Sequence, residues 1–371
     1  MRQPDCYRAK NISLKIDKGE TMSLSEDQIQ ECYQRYLREY DRYSKMAELV
    51  YQKCLEIVQK KLTVRATVQR RAKNPKSFAD KLKKPAFRNR YDSVEEVFGQ
   101  ISDLAGVRIA TYLESDRQQV VEEIRQAFVG KDGGPPEIDV KDRDQARKHY
   151  RATHCQVYLA EEDFAGTNAN LEGTTCEIQV CSLLAHVFNE IEHDLQYKPL
   201  SGELSEAEQE FIDQLGLLTK AGDLTIKRLL AETDERLSHR TGEFDDVHDF
   251  VARMRKELEV GTEFSGNAGQ LFDELGALGI NSPGAIHEAV CPDETDLKVV
   301  AQTEYNLLSE FAAQKEIDIL EPGSSDLLLA GVLKTKVDQI LARHPMGRGK
   351  GRPTRLAQIA KLYKQMQERA A

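Results

Sequence analysis

The chain has 371 residues, 40% hydrophobic and 31% charged, with a net charge of −10. This is the profile of a water-exposed globular protein of two to three domains at roughly 150 residues each, and it argues against a DNA or general RNA coat protein. No run approaches the roughly eighteen apolar residues of a membrane span, and Met1-Arg2-Gln3-Pro4-Asp5 lacks the apolar stretch of a secretory signal, so a cytoplasmic location without membrane partners is expected.

Residues 1–25 are polar and patternless, which predicts a loose arm. From Glu26 to Leu62 the spacing of Ile29, Tyr33, Tyr36, Tyr40, Met46, Leu49, Val50, Leu55 and Val58 predicts a long helix. Residues 66–84 read as a basic helical continuation, broken near Asn74-Pro75. The stretch Gly106–Leu113 is compact and β-rich, and residues 116–128 return to a helical pattern. Residues 130–148 are rich in Gly and Pro and then charged, which predicts a loop. Two further strands follow, Tyr150–Leu159 and Thr175–Cys181. Leu183–Tyr197 is an amphipathic helix on which Leu184, Val187, Phe188, Ile191 and Leu195 form an apolar stripe, read as core. His186, Asn189, Glu190, His193 and Tyr197 form a neighbouring polar stripe. Everything from Ser205 onward reads as helix, with breaks at Gly242, Gly279–Pro283 and Pro322-Gly323. The fold class is therefore α+β: a mixed β-sheet flanked by helices over 26–235, then an all-α region over 240–371 with a basic tail. The seven scattered cysteines, with no Cys-x-x-Cys pair, read as buried thiols, not as a disulfide framework or a zinc site.

Charge is distributed unevenly. Residues 60–90 hold twelve Lys/Arg against the single acid Asp80, and residues 343–371 hold eight against the single acid Glu368. Two basic segments in an acidic body fit focused anion sites, or equally solvated helix faces. In the first segment Arg71, Lys73, Lys76 and Lys81 with the Ser77 hydroxyl form a density of donors suited to a polyphosphate. Asp103 stands just ahead of the first strand, and Glu177 lies within an apolar strand whose alternation puts Glu177 and Gln179 on one face. Two acids on adjacent strands suit Mg²⁺ held against phosphates; taken singly, Asp103 reads as a cap and Glu177 as an arginine's partner. Tyr150 offers a stacking surface at a strand mouth, with His154 on the same face.

In chain order, Arg71-x-Lys73-x-x-x-Ser77-x-x-x-Lys81, Asp103-x-x-Gly106-x-Arg108, Tyr150-Arg151-Ala152-x-His154 and Glu177-Ile178-Gln179, continuing through Ala185-His186 and Glu192-His193 to Tyr197-Lys198, resemble the synthetase domain of the RelA/SpoT alarmone family. The resemblance spans about 26–230. It implies a nucleotidyltransferase-like fold and a pyrophosphokinase, a GTP diphosphokinase that moves the β,γ-pyrophosphate of ATP to the 3′-hydroxyl of GDP or GTP. By the same resemblance Arg71 and Arg108 sandwich the adenine, and Lys73, Ser77 and Lys81 hold the triphosphate. Asp103 and Glu177 coordinate Mg²⁺, and Glu177 also accepts the hydroxyl proton. Tyr150 stacks on the acceptor's guanine and His154 contacts its phosphates. Gln179, His193 and Lys198 match the motif as acceptor-side or buttressing residues.

Three departures fall near the acceptor. His149 stands where the family commonly has glycine; the loop Lys141–Lys148 is short; and Cys181-Ser182 replaces an arginine and a threonine. They leave open an acceptor that is an adenine nucleotide or a tRNA 3′ end, or a catalytically silent nucleotide sensor. No histidine precedes His149, so no ligands for the hydrolase of bifunctional relatives are expected. Self-association is open. In 240–371, Phe244, Val247, Phe250, Val251, Met254 and Leu258, then Leu271, Phe272, Leu275 and Leu278, predict a helical bundle.

Overall fold

The computed structural model describes residues 23–142, 149–164, 166–197, 204–292, 296–345 and 354–370. Most of the N-terminal arm, Cys6, the loop 143–148, Lys198 and the Gly/Arg stretch 347–352 lie outside these described residues.

Helix α1 (Glu26–Glu56) starts at a capping box, in which the Ser25 hydroxyl accepts from the Gln28 amide and the Gln28 side chain accepts from the Ser25 amide. It buries Ile29, Cys32, Tyr36, Tyr43, Met46, Val50 and Cys54 on one face and runs into a π-turn at Ile57–Lys61. Strand β1 (Ala66–Ala72) follows where a helical continuation was expected. Thr67, Gln69 and Arg71 point outward while Ala66, Val68 and Ala72 are partly covered, and the segment pairs antiparallel with the next strand. Tertiary pairing thus overrides a helical count in a short, half-exposed edge strand. Asn74 caps the next helix and Pro75 occupies its first turn, so α2 (Pro75–Lys83) begins where the break was read.

The chain continues through α3 (Pro85–Arg88), α4 (Val94–Gln100), β2 (Ala105–Thr111) and α5 (Asp116–Ala127). Strand β3 (Glu137–Asp142) lies within the stretch expected to be loop; its Ile138 packs against the core while Val140 is exposed. Then come β4 (Arg151–Val157), β5 (Cys176–Ser182), α6 (Leu183–Tyr197) and α7 (Glu206–Leu237). The five-stranded sheet is ordered β1-β2-β5-β4-β3 and is mixed: β2 and β5 run parallel, and every other pair is antiparallel. The face toward α1 and α5 carries the main core, including Val107, Ile109, Cys155, Ile178 and Val180.

On the opposite face α6 sits over Ala152 and Cys181 through Ala185. Its apolar stripe is only half core: Phe188 is buried, but Val187, Ile191 and Leu195 are 46%, 39% and 43% exposed.

The C-terminal half contains α8 (Val247–Glu257), α9 (Ala268–Ala277), α10 (Pro283–Val290), α11 (Leu297–Gln314), α12 (Asp326–Arg343) and α13 (Arg355–Ala370). These share a second hydrophobic cluster in which α12 is the most enclosed element. The two halves meet at the π-turn. There the Asn267 amide donates to the Lys61 carbonyl at 2.6 Å, Lys60 pairs with Asp273, and Gly269 lies so close to the Gln59 carbonyl that a Cβ would sit 2.2 Å from it. All six cysteines among the described residues are free and buried, as their scatter suggested. No described helix is long and apolar enough to cross a membrane.

Candidate active site

Strand alternation builds one wall of the site. Gly106 and Arg108 on β2 stand beside Glu177 and Gln179 on β5, in parallel register, and His154 on β4 faces Gln179 from the other side. These side chains open into a cavity of about 430 Å³. Arg71, Lys73 and Lys81 close it on the β1–α2 side, Asp103 and Ser102 at its floor, Tyr150 and His154 on the β4 side, and His186, Asn189, Glu190 and His193 of α6 above. An adjoining recess of about 260 Å³ is shared by Arg71, Asp103, Arg108, Glu177, Gln179 and Glu190.

Helix α1 fixes the floor. The buried Tyr36 hydroxyl donates to the Lys73 carbonyl at 2.7 Å and lies 3.3 Å from the Leu104 carbonyl, tying the backbone on both sides of the site to one rigid helix. Above that anchor Asp103 Oδ2 accepts from Lys73 Nζ at 2.7 Å and Lys81 Nζ at 2.9 Å. Burial works to raise the Asp103 carboxyl, but the two ammonium groups override it and hold it below the ordinary aspartate range. Its other oxygen, Oδ1, is buried with no hydrogen-bond partner.

Glu177 sits in the same cavity, with Gln179 Nε2 donating to its Oε1 at 2.7 Å and His154 Nδ1 lying 3.4 Å from that oxygen. Burial again acts to raise its carboxyl, and the His154 ring and the Gln179 amide together bring it below the usual glutamate range. Both acids are therefore ionised at neutral pH. Tyr150 and His154 are joined by a 2.9 Å hydrogen bond between the phenol and Nε2, so the two present one connected surface. Arg108 pairs with Glu190 at 2.7 Å and donates to Gln179 at 3.4 Å. That network turns Gln179 into a brace between the arginine and Glu177.

The orphaned Asp103 oxygen, with Glu177 beside it, fits a hard divalent cation of the Mg²⁺ kind. Among the described residues no group of three or more metal-ligating side chains is present. Two carboxylates are what Mg²⁺ takes when phosphate oxygens and water complete its shell.

Of the residues singled out in the sequence, Arg71, Lys73, Lys81, Asp103, Arg108, Tyr150, His154, Glu177 and Gln179 all line the cavity, as do His186 and His193. Ser77 does not: it is exposed in the first turn of α2, outside the lining, where its backbone amide donates to the capping Asn74. Lys198 lies outside the described residues. Ser102 and Glu190 were given no role from sequence, yet Ser102 Oγ is 3.5 Å from Glu177 and Glu190 holds Arg108. Glu190 was legible as part of the polar stripe on α6; Ser102 carried no signal.

A sheet wall with two ionised acids faces a ring of Lys and Arg side chains across a polar cavity, a set of donors whose chemistry suits phosphate groups. Residues 70–201, a stretch that takes in β2 through α6, match the family model described as a region found in RelA / SpoT proteins. Among solved structures it is similar to the small alarmone synthetase 1 from Bacillus subtilis, at 21% identity over 54% of this chain and 98% of that one, with a TM-score of 0.43. The same Bacillus protein bound to its product pppGpp matches at 20% identity over 53% and 97%, TM-score 0.41. A GTP pyrophosphokinase family protein from Streptococcus pneumoniae matches at 18% identity over 54% and 96%, TM-score 0.42. No curated protein sequence matches the chain.

Proposed function

We propose that the chain is a pyrophosphokinase that transfers the β,γ-pyrophosphate of ATP to the 3′-hydroxyl of GDP or GTP. The observation that carries this reading is the union, in one cavity, of the Asp103 and Glu177 carboxylates with the cations of β1, α2 and β2 on one side and the Tyr150–His154 pair on the other.

Arg71 and Arg108 would take the ATP base between planar guanidinium faces, and Lys73 and Lys81 would turn from Asp103 to the triphosphate. Asp103 Oδ1 and Glu177 would hold Mg²⁺, which supplies neutralisation of the charge spread over the phosphates. Tyr150 would stack on the acceptor base, and His154 would reach its phosphates. The acceptor's 3′-oxygen attacks the β-phosphorus, AMP leaves, and the hydroxyl proton passes to a Glu177 oxygen. A carboxylate held below its usual range is a weak base, so this transfer fits a late step, once the new P–O bond has made the hydroxyl acidic. Most of the catalysis is then positioning and charge neutralisation.

The test is product identification. The full chain is incubated with ATP, Mg²⁺ and, separately, GDP, GTP, an adenine nucleotide and tRNA, and the products are resolved by anion exchange. AMP together with a 3′-pyrophosphorylated guanine nucleotide is expected; a product only with tRNA or the adenine nucleotide reassigns the acceptor, and no AMP with any acceptor overturns the reading.

A further inference from the structure

Helix α7 buries Ile212, Gly216, Thr219 and Asp223, a stripe that is mostly small or polar, while Phe211, Leu217, Leu218, Leu224 and Leu229 are all more than half exposed. A helix bound to its neighbours for stability alone would bury the leucines. Its inner face instead meets the residues around the start of β4 through polar contacts. Asp213 Oδ1 lies 2.6 Å from His149 Nε2, and Asp223 Oδ2 lies 3.0 Å from Arg151 Nη2. The Asp223 carboxylate also accepts from Ser182 Oγ at 3.1 Å, where β5 turns into α6.

His149, the departure from glycine, has a made-to-measure seat. Its ring is 6% exposed and packs edge-on against Phe188, and a Cβ on Gly216 would lie 2.2–2.5 Å from ring and Cβ atoms of that histidine. The residue between the two anchored positions is Tyr150. Beyond Arg151 the strand alternates, placing Ala152 and His154 in the cavity.

We propose that Asp213 and Asp223 of α7 are positioning residues for the acceptor nucleotide, clamping His149 and Arg151 from behind and thereby fixing the Tyr150 ring and His154. The inference rests on the reading of Tyr150 and His154 as the acceptor side. Burying an ion pair costs desolvation that the pairing offsets only partly, so such contacts serve geometry better than stability. Small displacements of a stacking group lower binding steeply. None of Arg71, Lys73, Lys81 and Arg108 has a hydrogen bond or ion pair to α7 among the described contacts, so the ATP side should not feel the clamp.

The experiment is initial-rate kinetics of the full chain, varying guanine nucleotide at saturating ATP and the converse. Asp213→Ala and His149→Gly should each raise the acceptor KM about tenfold while the ATP KM stays within about twofold, and the double variant should be no worse than either single one, because both remove one interaction. Asp213 is on the outer edge of the contact, its side chain 29% exposed, so Asp213→Ala decides the matter if the glycine variant does not fold. An unchanged acceptor KM, or equal changes for both substrates, overturns the clamp. A wild-type protein that forms no product overturns the underlying reading instead, which keeps the two failures apart.

Discussion

Replacing Asp103 by asparagine keeps the shape of the side chain and removes its charge. In the native site one oxygen of Asp103 accepts from two ammonium groups at 2.7 and 2.9 Å, and the three side chains are 16–23% exposed. A hydrogen bond to a charged group contributes about 1.5–3 kcal/mol; two of them, discounted for partial solvent screening and for lysines that can swing outward, put the loss at about 2 kcal/mol. At 2–4 °C per kcal/mol for a unit of roughly 200 residues, the ligand-free protein should melt about 4–8 °C lower. If Asp103 holds Mg²⁺ as proposed, the same substitution also removes a metal ligand, and turnover should fall by about 10²–10³. Thermal melts without nucleotide and AMP release with nucleotide read the two effects separately. A melting temperature that holds or rises would show that the lysines gain nothing from Asp103. Turnover within tenfold of the wild type would remove Asp103 from the metal site.

Other substitutions follow from the same contacts. Glu177→Gln should lower kcat about 10²–10³-fold with ATP affinity changed by no more than about threefold, measured by AMP release and equilibrium nucleotide binding. Asp103 and Glu177 are both held below their ordinary ranges in the fold, so the unfolded chain takes up protons first as pH drops; their stabilisation is complete above about pH 4–5 and fades as pH falls through the lower folded values, which urea melts from pH 3 to 6 would reveal. Asp116 has the opposite sign, since burial pushes it up to about 6: its contribution is present at low pH and is lost as pH rises through that value. Asp116→Asn should therefore stabilise at pH 8 by about 1 kcal/mol after allowance for partial exposure, and not at pH 4. Gly269→Ala would press a methyl group onto the Gln59 carbonyl and should cost about 1–3 kcal/mol by forcing α9 away from the π-turn.

The legible parts of the fold were those with long periodic signals or chemical punctuation. α6 was read from Leu183 to Tyr197 because its apolar and polar stripes repeat at helical spacing, and the break read near Asn74-Pro75 falls where α2 starts. β1 and β3 were missed for a common reason: both are edge strands, exposed enough that alternation is diluted by charged residues, and the partner strand decides their conformation. The exposure of Val187, Ile191 and Leu195 was also hidden, because a stripe shows that a helix has an apolar face and not what covers it.

In the site, the acids and cations were recoverable because strand alternation and motif order place them on one surface. Ser77 was drawn in by its place among the donors of the basic segment and by motif spacing, and α2 leaves it outside the cavity lining. His149 was read as an irregularity; only the notch at Gly216, sixty-seven positions along the chain, shows how the fold takes it in.

Positional labelling of ATP tests the proposed chemistry most directly. With wild-type enzyme and GDP, label from the β- and the γ-phosphorus should appear together in the acceptor, in equal amounts, and label from the α-phosphorus should remain in AMP. Transfer of the γ-phosphorus alone, or release of both as free phosphate, would contradict attack at the β-phosphorus and the roles given to Asp103 and Glu177.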